Sequence, residues 1–296
     1  SYPFFWLRSY YHSLFSIMDH VEWLRSCFQV TGCDRTTDER LPGVQACVSI
    51  VIRTVPHIPL RVLLDESVEC PATSVQILFI KRAARESDRW SGHVAFPGGR
   101  CSGSESSFHT AVRETEEEVG LDLLSEDFHF CGRSDGATVK TKTNFKVAVY
   151  AFYQCSAETP AMKLEPSEVD SVRWIPLDVL VCPNEEQQKP VPWLLQSSGF
   201  SFIYRMIFRL FNIKYLYFPG ILLPITGEEH DNENHEYHLW GMTYGCIRKL
   251  IRNSIKASDS NTLPQIHAEL PFTTRNVLVD SFTSLLFTSY IKISKL

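Results

Sequence analysis

The chain has 296 residues, of which 44% are hydrophobic, and its formal net charge is −5 at pH 7. This length suits one large domain or a domain with extensions, and the acidic balance argues against a general nucleic-acid-binding protein. The nine cysteines are scattered and form no Cys-x-x-Cys pair. This pattern argues against a zinc site or a disulfide framework and favours reduced thiols in an intracellular compartment.

Residues 1–43 form an N-terminal segment whose structure the sequence does not predict. Because the sequence begins at Ser1, we interpret it as a fragment, a processed form or an upstream-extended gene model, with Met18 as a candidate start. The aromatic-rich beginning lacks the clean apolar core and cleavage site of a secretory signal, and it has too few arginines for a transit peptide.

Two apolar runs, "GVQACVSIVIRTV" and "SVQILFIKR", predict β-strands. A local basic cluster of Arg82, Arg85 and Arg89 follows in an otherwise acidic chain. Arginine binds phosphate groups with two hydrogen bonds, because its planar guanidinium matches their geometry. The place of this cluster directly before a Phe-Pro-Gly-Gly turn favours phosphate recognition over a solvated basic loop.

The stretch "SSFHTAVRETEEEVG" predicts a helix that Ser106 or Ser107 caps and Gly120 ends. At about 100° per residue, one stripe of the helix is apolar or small and is predicted to be buried. This stripe comprises Phe108, Ala111, Val112, Thr115 and Val119.

Three glutamates, Glu114, Glu117 and Glu118, fall on the face beside this stripe, whereas Glu116 points elsewhere. Like charges placed so close together repel one another unless something positive lies among them. Convergent carboxylates suit a hard divalent cation such as Mg²⁺, which prefers oxygen ligands. The alternative interpretation, a solvated acidic face, is the usual one for a run of glutamates, but the wider spacing argues against it.

The spacing over residues 99–121 resembles the signature box of the Nudix hydrolases, which cleave nucleoside diphosphates linked to another moiety. The seven fixed residues of the box are Gly99, Glu105, Arg113, Glu114, Glu117, Glu118 and Gly120. Thr115 departs from the family's aliphatic preference, although threonine is small enough to pack on a buried stripe. The resemblance implies an α/β fold, the Nudix α/β/α sandwich with a mixed sheet and a C-terminal helical extension, over residues 44–256.

The resemblance also implies a role for each matched residue. The metal ligands would be the carboxylates of Glu114, Glu117 and Glu118 and the carbonyl of Gly99, with Mg²⁺ or Mn²⁺ as the cofactor. Arg113 would hold the carboxylates in place, and Glu105 would brace the loop against the helix. The general base is left open among Glu117, Glu165 and Glu168, because a glutamate outside the box often serves in this superfamily.

The sequence before the box resembles the second signature of the coenzyme A pyrophosphatase branch. The matching residues are Arg82, Ala83, Arg89, Gly92, Phe96, Pro97, Gly98 and Gly99. Two features depart from that signature: the arginines are spaced more loosely, and Ile80 stands where threonine is usual. The resemblance implies that the substrate-binding residues include Arg82, Arg89, Gly92, Phe96, Pro97 and Gly98.

The implied reaction is hydrolysis of coenzyme A or acyl-coenzyme A to 4′-phosphopantetheine, or its acyl form, and adenosine 3′,5′-bisphosphate. Two alternatives remain open. One is a Nudix hydrolase for another diphosphate, such as ADP-ribose or a dinucleotide. The other is a non-catalytic Nudix domain whose aromatic segments engage a membrane or a partner protein.

Further strands are predicted at "NFKVAVYAFYQC" and "SVRWIPL", the second leading into a helix near Leu177, and residues 182–193 are predicted to be a loop. The apolar stretch "FSFIYRMIFRLFNIKYLYFPGILLPI" contains Arg205, Arg209 and Lys214. These charges favour a structural segment over a transmembrane span, with a membrane-surface helix as the alternative.

A polar insertion is predicted at residues 226–238. Its His230, His235 and His238 lack convincing ligand spacing, which favours a solvated run over a metal site. The residues Trp240, Gly241 and Thr243 resemble the turn that opens the last helix in the coenzyme A pyrophosphatase group. The apolar stripe predicted for that helix comprises Ile247, Leu250, Ile251 and Ile255.

Residues 257–296 form a tail that ends in Ser294, Lys295 and Leu296. A terminal Ser-Lys-Leu is a peroxisomal address that the import receptor reads. We therefore expect a peroxisomal protein if Leu296 is the natural end, and otherwise a cytoplasmic or mitochondrial one.

Overall fold

The computed structural model describes Leu24 and residues 40–65, 67, 74–85, 90–134, 138–139, 145–181, 183–194, 206, 209–210, 215–225 and 236–258. The predictions made for Met18, for Arg89, for the first two histidines of the insertion and for the Ser-Lys-Leu tail fall outside these residues. They stay predictions.

In this described part, the strands are β1 (Val44–Val55), β2 (Ser74–Arg82), β3 (Val94–Ala95), β4 (Gly98–Arg100), β5 (Phe128–Ser134), β6 (Thr138–Val139), β7 (Phe145–Gln154), β8 (Val169–Pro176), β9 (Val191–Leu194), β10 (Tyr215–Phe218), β11 (Gly220–Leu223) and β12 (Tyr237–Trp240). The helices of the same part are α1 (Leu60–Leu63), α2 (Ser107–Val119), α3 (Leu177–Val181) and α4 (Gly241–Ser258).

The main sheet has the strand order β3-β2-β1-β7-β5, with β4 paired to β1, β6 to β7 and β8 to β2. The central pair β1 and β7 is parallel, and the other pairs of this sheet are antiparallel. A parallel pair requires a long crossover, and α2 lies within the one that joins β1 to β7. The predicted α/β class with a mixed sheet is therefore confirmed.

Both faces of the sheet are buried. Val51 of β1 belongs to the apolar cluster that includes Ala111 and Val112 of α2. Its neighbours Ile50 and Ile52 are also fully buried, and successive side chains of a strand point to opposite faces. The second face is therefore covered as well, as an α/β/α sandwich requires, and α3 contacts β2, β8 and α4.

Thr115 ties α2 to the centre of the sheet. Its hydroxyl is fully buried, donates to the Ala111 carbonyl at 2.7 Å and lies within hydrogen-bond distance of Ser49 Oγ of β1 at 2.9 Å. A buried hydroxyl is tolerated when it is hydrogen-bonded. The partner in β1 thus explains why a threonine fits where the box usually has an aliphatic residue.

The region after α3 contains more strand than the sequence predicts. Residues 182–193 were expected to be a loop, but β9 begins at Val191 and pairs with β10. The polar insertion was expected to extend through His238, but β12 begins at Tyr237 and pairs with β11. These segments are strands because their backbones pair with β10 and β11. A local sequence pattern does not show such pairing. The start of α4 at Gly241 agrees with the prediction, and so does the start of α3 at Leu177.

Among the described residues, no helix combines the length and the apolar character needed to cross a bilayer.

Candidate active site

The ends of α2 are fixed by local hydrogen bonds. Ser106 is the N-cap, and its Oγ accepts from the amide of His109 at 3.1 Å. Gly120 ends the helix with φ of 75°, a left-handed conformation that glycine adopts without strain. A Cβ at this position would lie only 2.8 Å from the amide nitrogen of Lys163. The helix therefore ends where the loop that follows β7 crosses it.

Three carboxylates converge beside this helix. Glu114, Glu118 and Glu168 each offer an oxygen, and these oxygens lie within 4.8 Å of one another. Glu118 is only 1% exposed, whereas the other two are partly exposed. A set made only of carboxylate oxygens suits a hard divalent cation, so the residues fit the predicted Mg²⁺ or Mn²⁺.

The surroundings of Glu118 disfavour its negative charge when no cation is bound. Burial raises the pKa of this carboxyl to about 8, and the neighbouring charges of Glu114 and Glu168 add to the rise. The amide of Gly98, which donates to Glu118 Oε2 at 2.8 Å, and the charge of Arg82 act in the opposite direction. Burial likewise raises the pKa of Glu114. A cation among these oxygens would stabilise their ionised form.

The Gly98-Gly99 turn brings the sheet against the cluster. β4 pairs with β1, so that Gly98 lies opposite Val48. A Cβ at Gly98 would lie 2.3 Å from the Cys47 carbonyl, and one at Gly99 would lie 2.2 Å from Glu114 Oε2. Gly98 therefore requires glycine, because the nearest atoms that a Cβ would meet are backbone, whereas a Cβ at residue 99 would displace the Glu114 carboxylate.

Arg113 connects the carboxylates around the cluster. Its Nε and Nη2 donate to the two oxygens of Glu105 at 2.9 and 3.1 Å, and Nη2 also donates to Glu114 Oε1 at 2.9 Å. Its Nη1 donates to Glu117 Oε2 at 2.7 Å. The hydrogen bond from Arg113 is the largest cause of the lowered pKa of Glu105. Arg113 therefore fixes the loop before α2 and the first carboxylate of the cluster together.

Glu117 lies apart from the three-carboxylate cluster. Its side chain is 56% exposed and pairs with Arg113 across one helical turn. In this arrangement its oxygens are directed to the guanidinium, whereas Glu168 occupies the third position of the cluster. The roles of Glu117 as a ligand or base, and of the Gly99 carbonyl as a ligand, stay predictions.

The structure distinguishes the two glutamates outside the box that the sequence left open. Glu165 is exposed, and hydrogen bonds from the amide and hydroxyl of Ser167 to its Oε1 lower its pKa. Glu168 lies in the cluster. Its backbone is held by the amide of Ala83, which donates to the Glu168 carbonyl at 2.8 Å. The amide of Glu165 in turn donates to the Glu118 carbonyl at 3.0 Å, which ties this loop to α2.

Arg85 positions Glu168, a role that sequence reasoning missed. Its Nε donates to the Ser167 carbonyl at 2.7 Å, and its Nη2 lies 3.4 Å from Glu168 Oε1. Its own amide donates to Ser91 Oγ at 2.7 Å. The basic cluster was visible in the sequence, but only the fold shows that this arginine reaches across to the loop of Glu168.

The family comparison agrees with this geometry. Residues 65–194 match the model of the NUDIX domain. Residues 65–194 thus correspond to a NUDIX domain. The match contains α2, the Gly98-Gly99 segment and Glu168, so the resemblance stated from the sequence is confirmed for these residues.

Curated relatives match parts of this chain. An uncharacterized protein of Schizosaccharomyces pombe is 42% identical over 118 residues, which cover 38% of this chain and 36% of that protein. The mitochondrial coenzyme A diphosphatase NUDT8 of Mus musculus is 43% identical over 51 residues, which cover 17% of this chain and 24% of that protein. The chain thus spans about a third of the length of the first relative and about a quarter of the second.

Solved structures with low identity also match. A C. elegans Ap4A hydrolase binary complex is 16% identical, with a TM-score of 0.34, and the match covers 48% of this chain and 88% of that chain. A MutT/nudix family protein from Enterococcus faecalis is 12% identical, with a TM-score of 0.36, and the match covers 85% of this chain and 73% of that chain.

Among the residues expected to bind substrate, Arg82 and Gly92 are partly exposed, whereas Phe96 and Pro97 are buried. Arg82 ends β2, close enough for its charge to lower the pKa of Glu118, and Gly92 lines a recess next to β3. Phe96 is 2% exposed and stacks on Phe79 with ring centroids 5.0 Å apart. Pro97 is also buried, and its carbonyl accepts from the Ser49 amide at 2.9 Å. Phe96 and Pro97 therefore hold the turn in place, and a contact of their side chains with substrate stays a prediction.

Proposed function

We propose that this NUDIX domain hydrolyses the diphosphate of coenzyme A or of its thioesters. The products are 4′-phosphopantetheine, or its acyl form, and adenosine 3′,5′-bisphosphate. The observation that carries the proposal is the carboxylate cluster of Glu114, Glu118 and Glu168 with Arg82 beside it. Two features support this substrate: the upstream signature of the coenzyme A pyrophosphatase branch, and the similarity to the mouse protein, which is named a coenzyme A diphosphatase.

The proposed cofactor is Mg²⁺ or Mn²⁺, held by the carboxylate oxygens of Glu114 and Glu118, with the carboxylate of Glu168 beside them. Glu117 and the Gly99 carbonyl are further ligands that the sequence predicts. When bound, such a cation neutralises charge on phosphate oxygens and lowers the pKa of a coordinated water. Both ions prefer oxygen ligands, so the carboxylate cluster fits either of them.

Glu168 is the proposed general base. It combines partial exposure with a place in the cluster, so it can accept a proton from a water that attacks the diphosphate. Arg85 holds the Glu168 side chain, and Arg113 holds Glu105 and Glu114. The acid–base group and the cluster are therefore positioned before substrate binds, which reduces the entropy lost in the reaction.

Arginines would recognise the phosphates of the substrate. Arg82 lies near Glu118, which favours contact with the diphosphate itself. Arg89, from the same upstream signature, is then the proposed contact for the 3′-phosphate, which coenzyme A has and dephospho-coenzyme A lacks. A hydrogen bond between charged partners contributes about 1.5–3 kcal/mol, which corresponds to roughly a ten- to hundredfold preference for coenzyme A.

The test is kcat/KM with Mg²⁺ for coenzyme A, dephospho-coenzyme A, ADP-ribose and a diadenosine polyphosphate. We expect coenzyme A to be the best substrate, Arg89→Ala to remove its advantage over dephospho-coenzyme A, and Arg82→Ala to slow every diphosphate. A clear preference for ADP-ribose or the dinucleotide would overturn the substrate and favour the alternative Nudix hydrolase. Absence of hydrolysis across the panel would favour a non-catalytic binding domain.

If Leu296 is the natural end of the protein, we propose the peroxisome as its compartment, from Ser294, Lys295 and Leu296. The mitochondrion is the second candidate, because the mouse relative is a mitochondrial protein by its name. The two compartments are distinguished by localising an N-terminally tagged chain in cells, with and without its last three residues. Loss of peroxisomal signal on deletion is expected if the import receptor reads the tail.

A further inference from the structure

A small recess opens beside β3, with walls from β9 and β12. Its volume is about 240 Å³, and its lining includes Gly92, His93, Glu236, His238 and Trp240. Pockets that enclose a whole drug-sized ligand measure about 300–1,000 Å³. The recess is therefore suited to one ring system of a larger ligand, with the remainder lying outside it.

Aromatic side chains dominate one side of this recess. The rings of His93 and Trp240 have centroids 4.8 Å apart, and the ring centroid of Phe218 lies 5.6 Å from that of Trp240. Trp90 contacts the edge of His93 at 5.6 Å and is itself 53% exposed. Aromatic side chains bind flat heterocycles by stacking on their faces, and every nucleobase has such a face.

Polar atoms complete the recess on its other side. His238 Nε2 lies 2.9 Å from Glu236 Oε2. His238 Nδ1 is buried and has no hydrogen-bond partner among the described residues. A carboxylate accepts hydrogen bonds from an exocyclic amine, and an imidazole nitrogen pairs with a ring nitrogen or an N–H group. A heterocycle that bears both kinds of group, such as a purine, matches these atoms better than an aliphatic chain does.

Arg82 lies next to a residue that lines the recess. The amide of Arg82 donates to the carbonyl of His93 at 3.0 Å. The side chain of Arg82 carries the charge that acts on Glu118. Arg82 thus relates the recess to the carboxylate cluster, because its backbone contacts a lining residue of the one and its charge acts on Glu118 of the other.

From these observations we infer that the recess of His93, His238 and Trp240 binds the nucleobase of the substrate, which is adenine in coenzyme A. The inference rests on the proposed function for the identity of the base. It assigns the adenosine half of coenzyme A to the β3–β12 side, so the pantetheine arm leaves the cluster in another direction.

The test measures binding of each half of coenzyme A by calorimetry with the full chain. Adenosine 3′,5′-bisphosphate and 4′-phosphopantetheine are titrated into wild type, Trp240→Leu, Trp240→Phe and His238→Leu. Loss of one base-stacking contact should weaken adenosine 3′,5′-bisphosphate about five- to hundredfold in Trp240→Leu and leave 4′-phosphopantetheine unchanged. Trp240→Phe keeps an aromatic face and should retain most of the affinity. Tyr215→Leu removes an exposed aromatic residue outside the recess and is the matched control.

Several results would overturn the inference. These are unchanged affinity for adenosine 3′,5′-bisphosphate in Trp240→Leu, weakening of the pantetheine half instead, and equal weakening of both halves. If Trp240→Leu fails to fold, His238→Leu decides, because its side chain is partly exposed and its loss removes only the polar contact. Hydrolysis of coenzyme A with no effect of these variants on binding would reject the recess and keep the function. Tight binding of adenosine 3′,5′-bisphosphate that depends on Trp240, without any hydrolysis of coenzyme A, would keep the recess as a binding site and reject the proposed hydrolase function.

Discussion

Gly98 and Glu118 are 20 positions apart, yet the amide of Gly98 donates a 2.8 Å hydrogen bond to Glu118 Oε2. This contact joins the glycine turn to the buried carboxylate of the cluster, whose oxygens lie within 4.8 Å of one another. The turn thus orients the most buried ligand that the sequence predicted.

The first prediction concerns Glu118. Glu118→Gln should lower kcat/KM at saturating Mg²⁺ by about 10²–10³, because one charged ligand of the proposed metal centre is lost while the shape of the side chain is kept. The matched control is Glu116→Gln, which changes an exposed glutamate on the same helix. Steady-state kinetics of both variants check the prediction, and equal activities would remove Glu118 from the metal centre.

The second prediction separates the two glutamates outside the box. Glu168→Gln should lower kcat by about 10²–10⁴, the usual contribution of a general base. Glu165→Gln should retain most of the activity, because that side chain is exposed and bonded to Ser167. Arg85→Ala should act through Glu168 and lower kcat by less than Glu168→Gln does. A larger loss in Glu165→Gln than in Glu168→Gln would reverse the assignment.

The third prediction uses the glycine that faces Glu114. A Cβ at residue 99 would lie 2.2 Å from Glu114 Oε2, so Gly99→Ala should displace this carboxylate and weaken binding of Mg²⁺ or Mn²⁺. The control is Gly245→Ala in α4, where a Cβ meets open space. That change should stabilise the protein by about 0.5–1 kcal/mol, since alanine favours helices. Metal titrations and thermal unfolding of both variants test the pair, and unaltered metal affinity in Gly99→Ala would contradict it.

The fourth prediction concerns stability and pH without divalent cations. The pKa of Glu118 rises from an ordinary 4.5 to about 8 in the folded protein, so the folded state binds this proton more tightly than the unfolded state does. Its stabilising effect is therefore complete below about pH 4.5 and is lost as the pH rises toward about 8. In this window the free energy of unfolding should fall by up to about 1.4 kcal/mol per pH unit.

Thermal unfolding in a chelator at pH 5.5 and pH 8 measures this effect. Glu118→Gln should flatten the difference, because glutamine does not titrate. Added Mg²⁺ should raise the melting temperature more at pH 8 than at pH 5.5, since the cation binds the ionised carboxylates. A wild-type protein that is equally stable at both pH values in chelator would show that Glu118 does not titrate as its burial implies.

Much of this protein follows from local sequence pattern. The periodicity of α2, its Ser106 and Gly120 ends, the apolar strands and the spacing of Gly99, Arg113 and Glu118 all depend on short-range geometry. That geometry is the same in every helix, turn and strand. The mixed α/β class and the family could therefore be predicted before any contact was known.

Other features depend on contacts between distant segments, which no local pattern reports. Glu165 and Glu168 lie three residues apart, and the sequence does not distinguish them. The loop that crosses the end of α2 brings Glu168 to Glu114 and Glu118. Burial of Thr115 against Ser49 and of Phe96 against Phe79 likewise follows from pairing of β1, β2 and β4. The chemistry of the helix was thus determined by the sequence alone, whereas the tertiary structure decided the third carboxylate, because burial and charge proximity arise only when separate segments pack together.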